Sequence, residues 1–200
     1  VWAAQYQQRP TEQINRIFPE PVFVEPPEGM KLIADFDPAY SEEKDSDYSA
    51  LTIGGEHDGL IYIVAGFIWR KIVDEAYYDK IETLYRAYNV TAITVETNKD
   101  EGAIAHELRK RKLFVRERRS TNNKFLRITD LVLKHWGKLR FSSNVTESYL
   151  QQVLDYNELS THDDAPDSLA GLVERFVIER SPGVIMPPGY KEAQKAHKTG

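Results

Sequence analysis

Runs of apolar residues broken by polar ones divide the middle of this chain into short strands and longer helices. Lys31–Asp37 is an apolar run closed by acids and reads as a strand, followed by a polar loop from Pro38 to Asp47. Tyr48–Gly55 and Leu60–Arg70 flank the turn signal Glu56–His57–Asp58–Gly59, which predicts an antiparallel pair. From Val73 to Tyr88 the apolar residues Ile81, Leu84, Tyr85 and Tyr88 recur at helical spacing. A strand is predicted over Thr91–Glu96, a helix near Gly102–Arg111 with Ile104, Ala105 and Leu108 as its stripe, and a short strand over Leu113–Arg116. Asn123–Trp136 reads as helix and Lys138–Phe141 as a strand; helices over Val145–Tyr156 and Pro166–Val177 complete the series.

Prolines mark the ends. Pro10, Pro19, Pro21, Pro26 and Pro27 interrupt any regular element in residues 1–30, which read as an extended lead-in. Pro182, Pro187 and Pro188 make residues 181–200 a flexible tail, leaving one domain over 31–180. Within it the order of three strands, helix, strand, helix, strand and further helices matches an α/β fold of the ribonuclease H-like kind. Such a fold has a central mixed sheet of five or more strands, three antiparallel and then parallel β-α units, flanked by helices. Its first and fourth strands lie side by side and parallel, which brings the ends of Lys31–Asp37 and Thr91–Glu96 together.

Composition adds limits. Apolar residues make up 41% of the 200, enough for a sizeable core, yet no run approaches the ~20 apolar residues of a membrane span. With no Cys there is neither a disulfide nor a thiolate zinc site. The chain starts at Val1 without an initiator Met, a basic start or an apolar signal core, as expected of an excised or processed fragment. The net charge of −5 conceals strong segregation: residues 106–127 carry nine Lys or Arg against two acids, while residues 35–58 carry eight acids against one Lys. The basic segment offers Arg116, Arg118, Arg119, Lys124 and Arg127 as candidate phosphate contacts of a nucleic-acid surface.

Four acids are the candidate chemistry. Asp37 and Glu96 end the two strands expected to be neighbours, and Asp164 and Asp167 open the last helix. Each has a plainer reading alone: Asp37 before Pro38 as a turn opener, Glu96 as a solvated strand end, Asp164 and Asp167 as helix-dipole partners. Together, at the tips of adjacent strands and a helix start, they suit Mg²⁺ or Mn²⁺, hard cations that prefer oxygen ligands, and a pair of such ions hydrolyses phosphodiesters. Asp35, two residues before Asp37, shares its strand face and is expected just behind the site.

Three stretches resemble the C-terminal nuclease domain of the large terminase subunit of tailed bacteriophages: Ile33–Tyr40 with Ser46–Ala50, Ile93–Asn98 with Gly102 after it, and His162–Ala170. Trp2–Pro10 is similar to the segment where that family's ATPase domain ends. The resemblance implies a two-metal endodeoxyribonuclease acting on concatemeric double-stranded DNA. Asp37, Glu96 and Asp167 would be its ligands and Asp164 their neighbour; His162 and Asp163 stay open as ligands, and Asp47 as holder of an outer water. It implies as partners an ATPase domain upstream in the same polypeptide, the portal and the small terminase subunit, in the cytoplasm of the infected bacterial host and with no membrane. No Gly-x-x-x-x-Gly-Lys-Ser/Thr loop occurs here, so the motor itself lies elsewhere. A resolvase or transposase core, or a non-catalytic acidic docking module, would account for the same acids.

Overall fold

Six strands form one mixed sheet in the order β5-β4-β1-β2-β3-β6. They are β1 (Ile33–Asp37), β2 (Ser49–His57), β3 (Leu60–Trp69), β4 (Ile93–Glu96), β5 (Val115–Arg118) and β6 (Leu139–Phe141). The computed structural model describes residues 16–39, 48–70, 73–97, 102–119 and 123–180, with the side chains of 178–180 excepted. Residues 1–15 of the lead-in, the tail and Asp47 therefore lie outside the described residues. β1, β2 and β3 run antiparallel in sequence, while β4 joins β1, β5 joins β4 and β6 joins β3 in parallel. The expected mixed sheet is present, with the first and fourth strands adjacent.

Local chemistry explains the boundaries. The β2–β3 hairpin turns on Asp58 and Gly59, both at positive φ (49° and 83°), the geometry a two-residue loop needs to match strand twist. Helix α1 (Glu75–Ala87) starts where Asp74 accepts a hydrogen bond from the Tyr77 amide at 2.8 Å. Helix α2 (Ala103–Lys110) is followed by Lys112 at φ 65°, and Leu113 turns back to the Leu108 carbonyl. Leu113 is thus used as a buried helix terminus, so β5 begins two residues later than predicted and runs to Arg118.

The predicted helix over Asn123–Trp136 is three pieces: α3 (Lys124–Ile128), a π turn over Thr129–Leu133 and a 3₁₀ turn over Trp136–Lys138. The Thr129 hydroxyl bonds the carbonyls of Phe125 and Leu126, competing with the regular ladder. Helices α4 (Glu147–Leu154) and α5 (Asp164–Arg180) follow.

Two apolar cores lie on opposite faces of the sheet. One gathers Ile63, Phe141, Val132, Tyr149 and Leu169 beneath α3, α4 and α5. The other gathers Phe36, Ile53, Val95, Tyr77 and Leu108 beneath α1 and α2. Each fully buried side chain of this size contributes roughly 1.5–3 kcal/mol, so two filled faces make room for a few buried acids at the sheet's end. Part of the lead-in joins the domain: Phe18 stacks on Trp136 at 4.9 Å, and Val22 and Val24 hydrogen-bond to Phe141 at the end of β6.

Candidate metal centre

Parallel pairing of β1 with β4 matches Phe36 to Val95, so the next residues, Asp37 and Glu96, emerge side by side at the same end of the sheet. The first turn of α5 crosses that end and lowers Asp167 onto them. Each of Asp37, Glu96 and Asp167 is buried and offers an oxygen within 4.8 Å of the others. Among the described residues they form a group of three side chains able to hold a metal ion.

A hydroxyl chain fixes the crossing. Ser168 donates to the Asp35 carbonyl at 2.8 Å and lies 2.9 Å from the Thr52 hydroxyl, which lies 2.6 Å from the Tyr149 phenol. It ties α5 to β1, β2 and α4 through groups with no access to water. Gln152 of α4 accepts from the Ala165 amide at 2.7 Å, satisfying a helix-start donor that would otherwise be buried. Pro166 falls within the first turn, where a missing N–H costs nothing. The closest approach is at Gly171, where an added Cβ would lie 2.4 Å from Asp35 Oδ1.

The site's acids are strongly perturbed. Burial, reinforced by Glu96 and Asp164 and opposed by Lys124 and Arg118, pushes the Asp37 carboxyl up to about 8. Asp35, fully enclosed behind it, is pushed up to about 6, chiefly by burial, against the pull of Arg118 and Arg127. Acids crowded out of water in this way favour a proton unless a cation joins them. Oxygen-only donors, close spacing and an Asp167 Oδ2 that accepts no hydrogen bond fit a hard divalent ion.

The predicted residues separate into groups. Asp37, Glu96 and Asp167 converge, and Asp35 lies behind them as its strand parity implied. Asp164 is buried beside the cluster without joining it, 3.5 Å from the Gln152 amide nitrogen. Asp163 pairs with Lys124 at 3.0 Å, and His162 sits edge-on to the Tyr48 ring at 5.4 Å; neither belongs to the cluster.

The basic segment divides in two. Arg116 and Arg119 are exposed, but Arg118 and Arg127, the other arginines among the candidate phosphate contacts, are turned inward. Arg118 lies 3.2 Å from Asp35 and 2.9 Å from Glu96, and Arg127 pairs with Asp167. The cause is electrostatic: an ionised carboxylate out of water needs a counter-charge, and these guanidiniums lie within reach. Lys124, with 42% of its side chain exposed, stands at the rim, 3.6 Å from Asp167. Sequence reasoning missed Thr52, Ser168, Tyr149 and Gln152, whose roles depend on contacts between distant segments.

Comparison with known proteins follows the same outline. The model of a family described as the terminase RNaseH-like domain matches residues 34–174. Among solved structures, the large terminase of a thermophilic bacteriophage superposes with a TM-score of 0.60 at 12% identity, covering 82% of this chain and 46% of that one. The large terminase nuclease of thermophilic phage G20c gives 0.56 at 16% identity, covering 80% of this chain and 94% of that one. The Mn-soaked, inhibitor-bound nuclease domain of the human cytomegalovirus terminase gives 0.53 at 12%, covering 76% and 84%. This chain thus spans less than half of the first of these three proteins. No curated protein matches it. Identities this low speak to the fold alone.

Proposed function

Because the chain belongs to the terminase RNaseH-like domain family, we propose that it is the metal-dependent endonuclease domain of a viral DNA-packaging terminase large subunit, hydrolysing phosphodiester bonds of concatemeric double-stranded DNA. The observation that carries this reading is the convergence of Asp37, Glu96 and Asp167 from β1, β4 and α5 into one buried oxygen cluster. The family match favours this reading over a resolvase or transposase core.

Asp37, Glu96 and Asp167 would hold two divalent cations, Mg²⁺ or Mn²⁺. Bound there, the ions would supply Lewis-acid chemistry, making a water nucleophilic near neutral pH and stabilising charge on the departing oxygen. The chain's own residues prepare for this. Asp37 would release to solvent the proton that burial favours, leaving a carboxylate beside those of Glu96 and Asp167. Arg118 and Arg127 offset the concentrated negative charge, so the three acids stay together before any ion enters. Lys124 at the rim and exposed Arg116 and Arg119 attract the phosphate backbone without reading bases, which makes cutting by this domain largely indifferent to sequence.

By the same reading an ATPase domain lies upstream in the full polypeptide, and the portal and small terminase subunit are partners, all in the cytoplasm of the infected bacterial host. Among the described residues no helix is long and apolar enough to cross a membrane. The test is incubation with supercoiled plasmid in Mn²⁺, Mg²⁺ or EDTA, beside Asp37→Asn, Asp167→Asn and Asp164→Asn. Metal-dependent nicking that vanishes with Asp37→Asn and Asp167→Asn but is only reduced with Asp164→Asn is expected. Metal binding without any cleavage would replace the nuclease by a docking module.

A further inference from the structure

We propose that Asp35 and Arg118 form a buried positioning pair that holds Glu96 in its ligating place. The inference rests on the nuclease reading and concerns residues outside its ligand set. β4 and β5 pair Glu96 with Arg118 directly across the sheet, and Asp35 lies on β1, the strand on the other side of β4, in register with Thr94 two residues before Glu96. One nitrogen, Arg118 Nη2, reaches both acids: it donates to Asp35 Oδ1 at 3.2 Å and lies 2.9 Å from Glu96 Oε2. The Arg118 side chain is 10% exposed, that of Asp35 is 0%, and the guanidinium's Nε and Nη1 make no hydrogen bond. The pair is therefore enclosed and shared with nothing that solvent could exchange.

Charge explains why two residues are needed. A lone guanidinium against Glu96 would bind that carboxylate and repel an incoming dication. Asp35 cancels the positive charge, leaving a neutral unit that orients Glu96 by geometry alone, as partners behind metal ligands do. Asp35 cannot withdraw, because the α5 backbone at Gly171 stands against its carboxylate with no room for a methyl group. The same contact transmits the seating of α5, and with it Asp167, to the residue that steadies Glu96. The other two cations are built differently. Lys124 is partly exposed at the rim, and the acid on the far side of Arg127 from Asp167 is the partly exposed Glu174, 3.9 Å away.

The test measures Mn²⁺ affinity by calorimetry and by the bound-ion resonance signal, with thermal unfolding of each metal-free protein alongside. The proteins are wild type, Glu96→Gln, Asp35→Asn, Arg118→Met, Arg118→Lys and the double variant Asp35→Asn/Arg118→Met. Asp35→Asn and Arg118→Met are expected to weaken Mn²⁺ binding by about 10- to 100-fold, the usual effect of losing a partner behind a ligand, and Arg118→Lys to restore part of it. Each of the first two leaves a partner's charge buried and can fail to fold. The double variant leaves neither, so it is expected to unfold near the wild-type temperature while still binding Mn²⁺ weakly. Mn²⁺ binding unchanged or tightened in Arg118→Met or in the double variant would overturn the proposal and make Arg118 a mere competitor of the ion. If Glu96→Gln binds Mn²⁺ like wild type, the ligand assignment itself fails and takes this inference with it.

Discussion

Replacing Asp37 by Asn should stabilise the metal-free domain at alkaline pH, and the size of the effect follows from where that carboxyl sits. It is buried, and its pKa rises from 3.8 to about 8, with burial as the main cause. The raised value means that between those limits the folded chain keeps a proton that the unfolded chain has released. Stability from this group is complete below about pH 4 and drains away as pH rises through 8, by at most about 1.4 kcal/mol per pH unit. The ceiling over the window is about 6 kcal/mol. Relaxation and water penetration around a carboxylate that ionises in the folded chain hold the realised loss below that ceiling, at about 2–3 kcal/mol. Asn cannot ionise, so Asp37→Asn should be the more stable protein at pH 8 by that amount and should differ little near pH 4. The assay is urea unfolding of both proteins in EDTA from pH 4.5 to 8.5. Adding Mn²⁺ should then stabilise wild type strongly and the variant hardly at all. Parallel pH profiles, or a variant less stable than wild type at pH 8, would refute the argument.

Two further outcomes follow from features away from the ligands. Ser168→Ala should cost about 1–3 kcal/mol, because it takes one hydrogen-bond partner each from the buried Thr52 hydroxyl and Asp35 carbonyl; an unchanged urea midpoint would exclude the hydroxyl chain as a tie. Arg116→Ala with Arg119→Ala should weaken duplex binding, lowering the slope of log affinity against log salt by about two, at an unaltered melting temperature. A salt slope equal to wild type would move the DNA path to another face.

Much of the site could be read from residues alone because its strands end abruptly. Asp37 and Glu96 each terminate an apolar run, and the order of elements makes those runs neighbours. Period-two alternation likewise placed Asp35 behind Asp37. What resisted reading depended on distant partners. Arg118 faces an acid 83 residues away and Arg127 one 40 residues away, and nothing local distinguishes them from the exposed Arg116 and Arg119. The offset of β5 hinged on the left-handed backbone at Lys112, and the broken helix on a threonine hydroxyl at Thr129, single-residue effects that an apolar periodicity does not register.

Because the acid cluster takes Asp37 and Glu96 from early strands and Asp167 from the last described helix, it has a place in time as well as in space. A ribosome adding about 5–20 residues per second needs several seconds to travel from Glu96 to Asp167, and longer before α5 clears the exit tunnel. Through that interval a nascent chain holds two of its three acids and has no complete cation site. A chain truncated before α5 would lack the third acid just the same, however well its sheet had formed. On the nuclease reading, order of synthesis acts as a safety catch: the domain would be armed only when its final helix docks.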